Sequence, residues 1–146
     1  GDITVAEITA VDPNFPERVP SNLLSGINRK SILDCFLTSL STEPFILFDL
    51  GSNQSVREVV LTSSGSAYVI YYFRYIEVRV GSQRLHPDFS SYSLLDYFNG
   101  EAPGPHTNFR AVANGPLSGM YLSIQMVQPF NAFFHFQLCG VKIYVV

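Results

Sequence analysis

The side chains able to hold a metal, move a proton or attack a substrate are few and scattered in this chain. There are three histidines (His86, His106, His135), two cysteines (Cys35, Cys139), twelve carboxylates and nine basic residues. The histidines and cysteines have no metal-ligand spacing among themselves. No Gly-x-Ser-x-Gly elbow gives any serine the setting of a nucleophile, and no phosphate loop or dinucleotide fingerprint is present. The carboxylates do not cluster as an acid–base pair. The expectation is therefore a chain that is not an enzyme. His135, between Phe134 and Phe136, reads as an outward or hydrogen-bonded strand histidine, and His106, in a Pro-Gly loop, as solvent-exposed. Cys35 and Cys139 lie 104 positions apart. They are either two buried free thiols or a disulfide, which at that loop length would contribute ~4.7 kcal/mol by restricting the unfolded chain. Asn53-Gln54-Ser55 is a glycosylation sequon, which points to the extracellular side. The densest aromatic stretch, "YVIYYFRY" (68–75), is either a strand with one face in the core or a ligand-facing surface. In the second case its rings would stack on sugars or enter lipid headgroups, and Arg74 would hydrogen-bond a hydroxyl or phosphate.

Such groups must be carried by the elements around them, and 146 residues is the length of one domain with one core. Charged residues are 14% of the chain, with a net charge of −3 and the basic side chains dispersed, so the concentrated positive face of a nucleic-acid binder is missing. No apolar run reaches the length of a membrane span. The start "GDITVAEI" lacks a signal-peptide pattern, which leaves secretion open because a trimmed chain looks the same.

No long segment has a helical period. "PFILFDLG" (44–51) and "VREVVLTSS" (56–64) read as strands at hairpin-like distance. "YIEVRVG" (75–81) alternates Ile76, Val78 and Val80 with Tyr75, Glu77 and Arg79, which is a half-buried strand. "GMYLSIQMV" (119–127) alternates likewise. "FFHFQLCGVKIYVV" shifts phase near Cys139-Gly140, as at a bulge. Residues 12–34, 82–92 and 99–119 read as loops, the first long enough to be functional or held by something. This pattern predicts an all-β, antiparallel β-sandwich or barrel forming a single domain, 1–146.

The ordered set "PSNLLSGIN", "DCFLTS", "PFILFDLG", "VREVVLTS", "YIEVRVG", "GMYLSIQM", "LCGVKIY" resembles the discoidin or coagulation-factor C-domain superfamily, and within it the F-type lectins. The resemblance covers about residues 3 to 146 and implies a jelly roll of about eight strands with Cys35 joined to Cys139. That bond in turn implies an extracellular, secreted or surface setting. The family's sugar-binding histidine falls on Leu37, and its two arginines fall near Gly65 and Tyr72, with Arg74 close by. The triad of that family is therefore lost. Candidate ligand contacts are Leu37, Tyr71, Tyr72 and Arg74. The family's calcium loop would here draw on Asn22, Ser25, Asn28, Asp34 and the carbonyl of Cys139, with the acidic residue after the last cysteine replaced by Gly140. Calcium takes six to eight oxygens, so the site is weakened.

The function this implies is an extracellular, non-enzymatic recognition module. It would bind carbohydrate through a diverged site or serve cell-surface adhesion, with glycans or a cell-surface protein as partners. The alternatives are a protein-interaction domain of a larger surface protein and phospholipid binding through the apolar residues Leu23, Leu24, Ile32 and Leu33. The expected ligand end is formed by loops 18–34, 64–74 and 99–110.

Overall fold

A computed structural model of the chain describes residues 3–20, 23, 35–85, 88–127 and 132–146. In these, eight strands and one helical turn follow in the order β1 (Thr4–Ile8), β2 (Phe36–Leu37), β3 (Phe45–Thr62), α1 (Val69–Tyr72), β4 (Arg74–Gly81), β5 (Ser93–Glu101), β6 (Asn108–Met126), β7 (Gln137–Leu138) and β8 (Gly140–Val145).

Two long strands organise the sandwich. β3 and β6 run antiparallel along their whole lengths, with register breaks between Asp49 and Gln54 and between Val56 and Glu58. The first part of β3 lies between β1 and the end of β6, whereas its last part lies between β8 and the start of β6. One ribbon therefore serves both layers. The first layer has the order β1-β3-β6-β4-β5, and β8 joins β3 in the second. The segments 44–51 and 56–64, read from sequence as neighbours across a hairpin, do not pair with each other. The Asp49 carboxylate accepts a hydrogen bond from the Gly51 amide (2.8 Å), and Gly51 takes a φ of 82°, which glycine tolerates and most residues do not. The Asp-Leu-Gly unit thus bends the strand instead of reversing it.

Alternation decides what each face buries. Ile46, Phe48 and Leu50 of β3 meet Ile76, Val78 and Val80 of β4 and Leu122, Ile124 and Met126 of β6 in the core between the layers. Each such side chain contributes about 1.5–3 kcal/mol when fully buried. Phe45 and Leu47 face outward, yet they are buried too, under Phe89 and Tyr92. That is why "FILF" reads as a continuous apolar run. The 82–92 loop is held on this outer face by the Tyr92 hydroxyl, which donates to the Gln83 carbonyl and accepts from the Leu85 amide.

Three expectations need correction. Residues 108–119, read as loop, belong to β6; the turn formers Asn114, Gly115 and Pro116 mark the exposed bend of a strand that crosses between layers. Residues 68–73 are not strand: Val69–Tyr72 form a single helical turn, and β4 begins at Arg74. The phase shift at Cys139-Gly140 is a change of sheet, because β7 pairs with β2 and β8 with β3.

Candidate functional site

The loops after β1, β3, β5 and β6 gather at one end of the sandwich, joined by contacts such as Leu37–Arg18, Ser63–Thr107 and Asp12–His135. β2 and β7 form a two-residue antiparallel ladder there, and beside it Cys35 and Cys139 are joined in a disulfide across a sequence separation of 104. The 12–18 turn closes over this ladder. The Asp12 amide donates to the Leu37 carbonyl (3.0 Å), and the Leu37 amide donates to the Arg18 carbonyl (3.2 Å). Leu37 is consequently buried and presents no side chain to a ligand, which corrects its placement among the contacts.

The helical turn α1 follows the Ser64-Gly65-Ser66 bend, where the Ser66 hydroxyl accepts from the Tyr68 amide (3.1 Å). Val69 and Phe73, four apart, are buried on one side, and Phe73 closes the turn by donating to the Val69 carbonyl (2.9 Å). This leaves Tyr68 and Tyr71 exposed, at 64% and 48%. Tyr72 is half-buried and meets the His135 ring edge to face, 5.7 Å between centroids.

Arg74 is buried at the start of β4. It donates to the Glu101 carboxylate (3.1 Å), and its guanidinium lies 3.8 Å over the Phe134 ring. A guanidinium fixed on one edge and one face is a structural brace. Arg74 therefore ties β4 to β5 and to the 132–136 segment, and does not stand as a free donor at the surface.

Sequence reasoning passed over His135 as an ordinary strand histidine. It is hydrogen-bonded, as that reading allowed, but it does not lie in a strand: it follows an isolated bridge between Ser41 and Phe134. Its Nδ1 lies 2.7 Å from the Thr38 carbonyl and 3.5 Å from the Asp12 carboxylate. A carbonyl only accepts, so Nδ1 carries the proton, and Nε2 is left as an acceptor in the neutral ring. The side chain is 23% exposed. The signal available in the sequence was the loss of alternation across "FFHFQLC".

His106 is exposed, as expected, but it has a left-handed φ of 59°. A Cβ placed on Gly65 would stand 2.6 Å from the His106 ring, so the imidazole fills the room that a side chain at Gly65 would need. The loop is laced in place: the His106 amide donates to the Ser64 carbonyl (2.9 Å) and the Thr107 amide to the Ser63 hydroxyl (2.8 Å).

Of the calcium set, Asn22, Ser25, Asn28 and Asp34 lie outside the described residues, and Cys139 is buried in the disulfide. Among the described residues no three His, Cys, Asp or Glu side chains converge. Leu23 packs into the core and so offers no apolar tip; Leu24, Ile32 and Leu33 lie outside the described residues. Asn53 is exposed at the bend of β3. None of the helices among the described residues is long and apolar enough to cross a membrane.

No protein-family model matches the chain, and no curated protein does. Solved structures do. An F-type lectin (fucolectin) from the serum of striped bass, Morone saxatilis, superposes with a TM-score of 0.75 at 19% identity, over 99% of this chain and 45% of that one. The chain thus spans less than half the length of that lectin. A family 32 carbohydrate-binding module from Clostridium perfringens, solved with galactose, gives 0.67 at 12% identity over 97% and 92%. A fucose-binding module from Streptococcus pneumoniae gives 0.70 at 10% identity over 96% and 92%. At these identities the likeness is one of fold: the chain shares the antiparallel β-sandwich jelly roll of these modules.

Proposed function

We propose that the chain is an extracellular carbohydrate-recognition module without catalysis of its own, which meets its sugar at the loop end through Tyr71, Tyr72 and His135 instead of the F-type triad. The observation that carries this reading is His135 beside Tyr72, with Nδ1 committed to Thr38 and Nε2 left to accept from a ligand hydroxyl. Aromatic faces beside a fixed hydrogen-bonding group are what a pyranose requires, since the sugar has apolar C–H patches and many hydroxyls. The fold neighbours supply support of a second kind, being lectins and modules named for galactose and fucose. The disulfide fits an oxidising compartment. Calcium binding by the 22–34 loop remains part of the proposal.

The test is a glycan array followed by calorimetry, with calcium and with chelator, on the wild type and on Tyr71→Ala and His135→Ala. Galactose- or fucose-ended glycans are expected to bind the wild type. Each substitution should weaken binding by about tenfold, the loss of one good contact. An empty array in both conditions, or variants that bind as the wild type does, would refute the reading.

A second reading, a protein-docking end, draws on the exposure of Tyr68 (64%) and Phe133 (68%) at this same end, since aromatic residues dominate interface hot spots. A protein captured by the extracellular chain and released by Tyr68→Ala, with glycan binding absent, would establish it.

A further inference from the structure

A second concavity lies where the end of β1, the 41–45 segment and the 82–92 loop meet. Its volume is about 600 Å³, and Thr9, Ser41, Glu43, Phe45, Asp88 and Gln125 are among its lining residues. None of these belongs to the loop-end set, and the size falls within the roughly 300–1,000 Å³ of ligand sites.

The lining has a one-sided chemistry. Among the described residues it contains two carboxylates, Glu43 and Asp88, and no lysine or arginine. Glu43 is exposed. Its amide and carbonyl are used by Ser41 and Gln125, while its carboxylate takes neither a hydrogen bond nor an ion pair from any described residue. The hydroxyl and amide of Ser90 hold the Asp88 carboxyl below its ordinary value. Gln125, 7% exposed, lines the cleft from β6. On the same face of β6 stands Ser123, 1% exposed, whose hydroxyl has no partner among the described residues. Hydrogen-bonding capacity is thus left over beside the cleft as well as in it.

Three ligand chemistries can be weighed. A bare metal ion needs more oxygens converging on one point than two carboxylates supply, and no group of three His, Cys, Asp or Glu side chains forms among the described residues. A neutral sugar needs an aromatic face. Among the described lining residues the one aromatic is Phe45, which is 3% exposed and packed against Phe89 at 5.2 Å. A protonated amine carries three donors and a positive charge. It matches the surplus of acceptors, and the net charge of −3 draws it in.

We propose that this cleft is a second saccharide site, selective for hexosamines with a free amino group. The ammonium is held by Glu43 and Asp88, and ring hydroxyls are met by Thr9, Ser41 and Gln125. The choice of an amino sugar over a lysine-bearing peptide rests on the reading of the chain as a carbohydrate module; the cleft itself does not depend on the loop end.

The test is an amide-resolved NMR titration with three probes: a β-1,4-linked glucosamine disaccharide, its fully N-acetylated counterpart, and a lysine with blocked termini. The glucosamine disaccharide is expected to shift the amides of Thr9, Glu43 and Asp88. Its affinity should fall about tenfold in Glu43→Gln and again in Asp88→Asn, each of which removes one charge-assisted contact. It should be unchanged in Tyr71→Ala. The acetylated disaccharide should bind at least about tenfold more weakly, since acetylation removes the charge. Glu43 has no bond to lose at its carboxylate, so its substitution keeps the fold even if Asp88→Asn loosens the 82–92 loop. Equal binding of both disaccharides, shifts confined to the Tyr71 and His135 end, no shifts at all, or lysine binding as well as the sugar would each overturn the proposal. If the loop-end reading alone is wrong, galactose and fucose fail to bind while the glucosamine response and its loss in Glu43→Gln persist.

Discussion

Replacing both cysteines by alanine, Cys35→Ala with Cys139→Ala, opens the longest covalent loop the chain contains. The bond spans a sequence separation of 104, and the loop-closure entropy removed from the unfolded chain at that length is worth ~4.7 kcal/mol. A domain of this size is stable by only about 5–15 kcal/mol, so a third or more of its stability rides on this bond. With a guanidinium m-value of roughly 2–6 kcal/mol/M, the unfolding midpoint followed by circular dichroism should drop by about 1–2 M. Either substitution alone opens the loop, so Cys35→Ala, Cys139→Ala and the double variant should lose nearly the same stability, a strongly non-additive cycle. The two-residue ladder of β2 and β7 is the weakest pairing near the bond. The amides of Thr38 and Phe136, which close on Phe136 O and the Thr38 hydroxyl, should therefore exchange faster with solvent. Two results would refute the reasoning: a loss below about 1 kcal/mol, well under the usual cost of losing a native disulfide, or single-variant losses that add.

Where the last part of β3 lies between β6 and β8, Arg110 forms a hydrogen-bonded ion pair with Glu58. It holds the Glu58 carboxyl below its ordinary value of 4.5, desolvation opposing the shift. A depressed folded-state value means that the stability contributed by Glu58 is fully present above about pH 4.5 and is lost as pH falls through the lower folded value. The melting temperature of Glu58→Gln should accordingly fall less steeply than that of the wild type between neutral pH and that region; identical slopes would show that the pair contributes nothing. At Gly119, an added Cβ would lie 2.5 Å from the Gly81 carbonyl oxygen, a backbone atom that cannot swing aside. Gly119→Ala should cost about 1–3 kcal/mol, read by urea unfolding, and an unchanged midpoint would mean that β4 and β6 separate more easily than their pairing implies.

The strands whose alternation is unbroken were legible in advance. Ile76, Val78 and Val80 face inward and Glu77 and Arg79 outward, because period-2 patterning and burial on one face are the same fact. The disulfide was legible only through resemblance, since nothing local in "SILDCFLTS" names a partner 104 residues away. The bend of β3 was hidden because Asp-Leu-Gly is turn chemistry whether a strand reverses or crosses to the other layer. Tyr71 and Tyr72 were found as aromatic residues, but with the wrong backbone: four residues are too few for a helical period to show, and the anchors Val69 and Phe73 fit a strand pattern equally well. His135 was hidden because its partners are Thr38 and Asp12, both distant in sequence.

Two of the three positions where the F-type resemblance would put a sugar-binding side chain are structural, and the third, Tyr72, is held against His135. Leu37 is sealed beneath the 12–18 turn, which takes both its amide and its carbonyl. Gly65 has no room for a side chain while His106 lies on it. Tyr72 is engaged by His135. Losing one polar group from a binding site leaves a hole; here each hole is filled by a neighbour, and the neighbours bring two imidazoles and exposed tyrosines to the same end. A site that had merely decayed would keep its shape and lose its donors. The proposed site draws its donors from other strands and loops, a pattern expected where a fold is shared and the ligand differs. It follows that a histidine placed at position 37 alone would not create an F-type site, because its side chain would arrive beneath the Asp12–Arg18 turn and not at the surface where Tyr71 and His135 stand.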